Sequence, residues 1–127
     1  MSEKSVAQKL LIKANYTVLT VNAPDDYMSK IGELPPGIAF VDESKEPVDL
    51  VHIFAAAKGE LEALIGRARP VLKPGGLLWV SYPKGTSGVR TDINRDVIWK
   101  YAQTVGFQAV SMIAFDETWS AMRLKRT

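Results

Sequence analysis

The run at residues 48–55 (VDLVHIFA) narrows the fold more than any other feature of this chain. It is almost continuously apolar and rich in β-branched side chains, which suits a strand covered on both faces rather than one that alternates between core and water. Such a strand needs helices on either side of its sheet, and the sequence that follows supplies one. From Gly59 onward Leu61, Leu64, Ile65, Ala68 and Leu72 recur every three or four residues, until Pro70 and Pro74 force the helix to end. Residues 77–82 (LLWVSY) read as another buried strand, and residues 92–105 as a helix stopped by Gly106.

The flanking segments extend the alternation. Residues 5–13 read as a helix and residues 16–21 (YTVLTV) as a strand that ends at the turn residues Asn22-Ala23-Pro24. Asp25 or Asp26 caps a short helix with Met28, Ile31 and Leu34 on one side, and Pro35-Pro36-Gly37 stops it before a short strand at residues 38–41. Residues 107–114 and 120–125 are two strands joined through Asp116-Glu117-Thr118-Trp119, the spacing of a hairpin. Strands that alternate with helices predict a mostly parallel sheet, to which the closing hairpin adds one antiparallel strand at or near the edge.

Composition removes whole classes of function. A chain of 127 residues is the size of a single domain, here 1–127, with no room for a second substrate-binding lobe. The longest uninterrupted apolar run, residues 53–57, has five members, far short of the ~20 that a spanning helix needs. With no secretory leader at residues 1–5, the expectation is a soluble, cytoplasmic protein with no membrane partner. There are no cysteines and one histidine, His52, so disulfide frameworks, thiolate nucleophiles and metal cages built on two imidazoles are excluded, and no metal is expected. The formal net charge is +2 with the signs interspersed, which is not the footprint of a dedicated nucleic-acid binder.

Two motifs carry a family likeness: Leu72-Lys73-Pro74-Gly75-Gly76 leading into Leu77-Leu78-Trp79-Val80, and Gly106-Phe107 leading into the terminal hairpin. Residues 48–127 resemble the second half of class I methyltransferases, in which such steps open the fifth and sixth strands and an antiparallel seventh strand slots between them. More narrowly, Trp79, Tyr82-Pro83-Lys84, Ser87-Gly88 and Thr91-Asp92, together with the segment at residues 116–121, resemble a short bacterial family of unassigned function. That likeness covers essentially the whole chain. It implies an α/β, Rossmann-like three-layer α/β/α architecture and assigns no activity, ligand or catalytic residue.

The methyltransferase cofactor site depends on a glycine-rich turn after the first strand, where residues without a Cβ let the backbone approach the ligand. Here that turn is Asn22-Ala23-Pro24-Asp25-Asp26-Tyr27 and holds no glycine. Asp25 and Asp26 put negative charge at the following helix, which disfavours a dinucleotide pyrophosphate. S-adenosylmethionine has no phosphate and is less opposed. Asp42 lies about 20 residues after Asn22, the separation at which these folds set an acid on the ribose hydroxyls. With the glycines absent, the segment at residues 42–46 reads first as a solvated polar loop. Asn22 and Asp42 are thus the candidate cofactor residues.

The loop at residues 82–90 leaves a central strand and enters a helix, offering Lys84, Ser87 and Arg90 to an anion. Asp116, Glu117 and Trp119 of the hairpin tip are expected on the same face, either as part of a polar ligand site or as ion pairs that hold loop to hairpin. Lys73-Pro74-Gly75-Gly76 precedes a strand, at the end of the sheet opposite the ligand end, and is structural. His52, flanked by apolar residues, reads as a satisfied core histidine. Trp99 projects roughly 150° from the middle of the apolar side of its helix and is a candidate for a homodimer contact.

Three readings of function follow. The first is a non-catalytic binding or regulatory module with a degenerate cofactor site, no catalytic residue and no cofactor expected beyond a possible S-adenosylmethionine, whose contacts with an anionic small molecule or a protein partner run through the loop from Lys84 to Arg90 or the Trp99 face. The second is a minimal S-adenosylmethionine-dependent methyltransferase. The third is a small enzyme that clamps an anionic substrate with Lys84 and Arg90 and uses Asp116 or Glu117 as acid or base.

Overall fold

The computed structural model describes residues 5–85, 88 and 91–126. Its six strands, β1 (Thr17–Val21), β2 (Ala39–Val41), β3 (Val48–Phe54), β4 (Leu72–Pro83), β5 (Phe107–Ala114) and β6 (Trp119–Arg126), form one sheet in the order β2-β1-β3-β4-β6-β5. The first three pairings are parallel, and β6 runs antiparallel to both β4 and β5. The antiparallel strand therefore sits one place in from the edge, between two strands that point the same way. This is the Rossmann-like, methyltransferase-type α/β architecture expected from the sequence.

Strand alternation divides the core into two layers. Val51 and Ile53 of β3 face α3 (Lys58–Ala68) and α4 (Arg95–Thr104), where they meet Leu61, Ile65 and Ile98 in a largely aliphatic layer. Leu50 and Phe54 face the other way, toward the short helices α1 (Val6–Lys9) and α2 (Tyr27–Ile31), in a layer that holds Tyr27, Trp79, Phe115 and Trp119. Trp79 is fully buried there, and its indole Nε1 donates to the carbonyl of Leu10 at 2.9 Å. Among the described residues no helix is long and apolar enough to cross a membrane.

Three elements differ from the sequence reading. The helix expected over residues 5–13 stops after four residues, because the Leu11 and Ile12 amides turn back to the carbonyls of Gln8 and Ala7, with Leu11 at φ 64°. This is a Schellman stop with leucine where glycine is usual. The left-handed residue costs about 1 kcal/mol, offset by burial of Leu10 and Ile12 on the sheet. Next, residues 73–76 are not a turn before the strand but part of β4, which pairs Leu72 with Val48 and then shifts register before Leu77 meets Leu50. Gly76 sits in that irregularity, where a Cβ would lie 2.9 Å from the Lys73 carbonyl oxygen. Finally, Asp92 does not open α4. Its Oδ1 accepts from the Lys58 amide at the start of α3, and Asn94 caps α4 through the Val97 amide.

Candidate functional site

Strand order reverses between β1 and β3, since the chain leaves β1 toward β2 on one side and β3 toward β4 on the other. Open α/β sheets bind ligands in the crevice beyond the carboxyl ends of strands at such a switch point. A cleft of about 570 Å³ opens there on the β1–β2 side, within the range of small-molecule sites. Its walls include Asp25, Tyr27 and Met28 from the turn and start of α2, and Phe40, Asp42 and Glu43 from β2 and the loop after it.

Asp42, expected from sequence spacing to reach a ribose, is exposed and lines this cleft. Asn22 is exposed but is not among the residues that line the cleft; its backbone adopts φ 59°, the left-handed turn that a glycine otherwise supplies. Asparagine tolerates that geometry, so the turn keeps a glycine-like backbone without a glycine. Three carboxylates surround the cleft, and among its described lining residues there is no Lys or Arg. The lining suits a cationic or hydroxyl-rich ligand with a flat apolar part that packs on Phe40 and Met28, and it opposes a phosphate. Asp25, Asp42 and Glu43 are the residues there that could hold a cofactor of that chemistry.

The half of the crevice nearer β3 is filled. Tyr27 is 4% exposed; its ring stacks on Phe115 at 5.6 Å and meets Phe54 edge-on at 5.7 Å. Its hydroxyl joins His52 Nδ1 at 3.1 Å, and His52 Nε2 joins Ser81 Oγ at 2.6 Å. A neutral imidazole has one donor and one acceptor nitrogen, and each meets a hydroxyl able to play the complementary part. Burial holds the imidazole pKa down at about 3 and pushes the Tyr27 phenol above its ordinary range. His52 is thus a satisfied core histidine, neutral at physiological pH and sealed from solvent. Nothing in the sequence places a hydroxyl beside it, because Ser81 and Tyr27 reach it from another strand and a helix.

The hairpin tip gathers part of the second expected cluster. Asp116 Oδ1 accepts from the amides of Thr118 and Trp119, both at 2.8 Å, so the carboxylate shapes the turn. The Lys84 amide donates to the Thr118 carbonyl at 2.8 Å and ties the loop after β4 to the hairpin. Trp119 is half-buried edge-on against Phe54 at 5.1 Å, and Glu117 pairs with Lys30 at 3.4 Å on the surface. Ser87 and Arg90 lie outside the described residues. Trp99 stands apart on α4, 44% exposed.

The model of one protein family matches residues 7–127. The chain belongs to the DUF3052 family, whose function is unknown. No curated protein matches the DUF3052 chain by sequence. Solved structures do match it by fold. It is similar to a TehB-like SAM-dependent methyltransferase from Corynebacterium glutamicum, with a TM-score of 0.63 and 13% identity over 99% of this chain and 90% of that one. It is similar to a SAM-dependent methyltransferase from Thiobacillus denitrificans in complex with S-adenosyl-L-homocysteine, with a TM-score of 0.62 and 12% identity over 96% and 89%. A third neighbour, a DhpI–SAH complex, gives 0.63 and 13% over 95% and 82%. At these identities the likeness is one of fold.

Proposed function

We propose that this DUF3052 protein is a non-catalytic binding or regulatory module that holds S-adenosylmethionine, or a product with the same adenosyl group, in the cleft between β1 and β2. The observation that carries this reading is the division of the switch-point crevice. Its outer half is open and lined by Asp25, Asp42 and Glu43, while its inner half is packed with Tyr27, Phe54 and Phe115. Asp42 accepts hydrogen bonds from ribose hydroxyls, Phe40 and Met28 cover the base, and the carboxylates favour the cationic end of the ligand. The packed half leaves little space for a second substrate beside the first. The one histidine is buried and neutral, which removes it as a general base.

Thermal unfolding with S-adenosylmethionine and S-adenosylhomocysteine tests the reading. A ligand at 100 times its dissociation constant adds about 2.7 kcal/mol to the folded state. The expected result is a saturable rise in wild type that Asp42→Ala removes. No rise with either ligand would overturn it.

Catalytic methyl transfer is the second reading, favoured by a strand order that keeps the methyltransferase arrangement up to the inserted antiparallel strand. It predicts methyl-group transfer from labelled S-adenosylmethionine to components of a cell extract. The binding-module reading predicts retention of the labelled ligand without turnover.

A further inference from the structure

A second cleft, of about 590 Å³, opens at the opposite end of the molecule, between the carboxyl end of α3 and the turn from α4 into β5. Its walls include Gly66, Arg69, Pro70, Gly106, Phe107 and Arg126. Buried Phe107 forms an apolar floor and the two exposed arginines supply charge. Among the described residues no carboxylate lies within ion-pair distance of either guanidinium.

Arg126 is held in place. Its Nη2 donates to the carbonyl oxygens of Arg69 and of Leu72, the latter at 3.2 Å, and so caps the carboxyl end of the α3 segment. Both bonds use one nitrogen of a side chain with five N–H donors, and among the described residues the rest of the fork is not consumed.

Gly66 is the second observation. It lies in the last turn of α3, where glycine is the weakest helix former after proline, and a Cβ built there meets nothing within 4 Å. Neither backbone geometry nor packing against this chain requires a glycine at that position. The α3 backbone at Gly66 is therefore uncovered where it lines the cleft, with space for a ligand to approach it closely.

We propose that this cleft is a separate ligand site for a small phosphorylated molecule. The phosphate dianion pairs with Arg69 and Arg126, Gly66 gives it room against α3, and the rest of the ligand lies on Phe107 and Pro70. The carboxyl ends of α3 and α4 carry partial negative charge at this edge, so the arginines alone hold the anion. The proposal is independent of the adenosyl site, since the acid-lined cleft repels phosphate and lies at the other end of the sheet.

Titration of the isotope-labelled full chain with inorganic phosphate, against chloride at matched ionic strength, tests it by amide shifts. Saturable shifts are expected at Gly66, Gly106 and Phe107. Arg69→Ala is expected to weaken binding about ten- to hundredfold, the loss of a charge-assisted hydrogen-bonded partner. Gly66→Glu strengthens the helix and projects a carboxylate into the cleft, so it is expected to abolish the shifts while raising the melting temperature. Gly59→Ala, in the same helix and also without a neighbour within 4 Å of its Cβ, stabilises the fold and leaves phosphate binding unchanged. The proposal is overturned if wild type shows no saturable shift in the cleft, or if Arg69→Ala and Gly66→Glu bind phosphate as wild type does.

Discussion

The two faces of the sheet solve the same burial problem differently. On one, α3 and α4 lay eleven and ten residues of helix over an aliphatic layer of Val51, Ile53, Leu61 and Ile65. On the other, α1 and α2 have four and five residues, and the cover comes from large aromatic rings and a buried polar chain of Tyr27, His52 and Ser81. Short helices leave strand ends open, so the cleft at the ends of β1 and β2 forms on the aromatic side. The aliphatic face packs along its length and opens only at its rim, into the cleft over Phe107 at the end of α3. The aromatic face combines packing with the wall of a site, and its rings decide how much of the crevice remains open.

Hollowing out each face in turn puts the difference between them to its strongest test. Phe54→Ala and Leu61→Ala remove side chains at most 1% exposed and are expected to lower stability by about 3–5 and 2–5 kcal/mol in denaturant unfolding. Only Phe54→Ala is expected to change affinity for the adenosyl ligand. Equal effects of the two variants on binding would erase the distinction between faces.

Acid acts selectively on the aromatic face. His52 has a folded pKa of about 3 against an ordinary value of 6.5, so the unfolded chain takes up its proton first as pH falls. The stability it contributes is fully present above pH 6.5 and is lost toward pH 3, at roughly 1.4 kcal/mol per pH unit. Urea unfolding of wild type between pH 7 and 4.5 is expected to show this slope beyond that of His52→Phe. Identical slopes for the two proteins contradict a neutral buried imidazole.

Tyr27→Phe keeps the ring and removes the hydroxyl that meets His52 Nδ1. A buried nitrogen left without a partner costs about 1–3 kcal/mol, whereas the ring contacts with Phe115 and Phe54 persist. Calorimetry is expected to show that loss with ligand affinity nearly unchanged. A large drop in affinity instead makes the hydroxyl part of the ligand site.

The smallest expected effect is at the hairpin tip. Asp116→Ala deletes two hydrogen bonds to the Thr118 and Trp119 amides in a half-exposed turn and is expected to cost about 0.5–1.5 kcal/mol. Amide exchange at Thr118 and Trp119 should quicken while the strands stay protected. Unchanged exchange there means that the carboxylate does not hold the turn.

The fold was legible where a local pattern and a buried layer agree. The apolar run at residues 48–55 becomes β3 within one residue, and the hairpin around Asp116 and the helix ending before Gly106 lie where period and turn residues put them. The N-terminal helix is shorter than its pattern predicts because its stop uses Leu11 in a left-handed turn, which leaves no glycine to read. Of the candidate site, Asp42 was visible through its spacing from the end of β1. Tyr27, Met28 and Phe40 were not, since no repeat marks residues that converge from separate elements.

Local pattern is enough to establish that strands and helices alternate, that β3 and β4 are covered on both sides, and that the turn after β1 carries acids in place of glycines. These follow from backbone propensity and the 2.0 and 3.6 periodicities, which act within one segment. Packing in three dimensions sets which hydroxyls satisfy His52, which half of the switch-point crevice Tyr27 fills, and that Arg69 and Arg126 meet across a cleft at the far end. Those depend on register between strands and on how far each helix reaches. Both are fixed by packing and by pairing of buried polar groups over separations of 25 to 57 residues, for which the local sequence carries no signal.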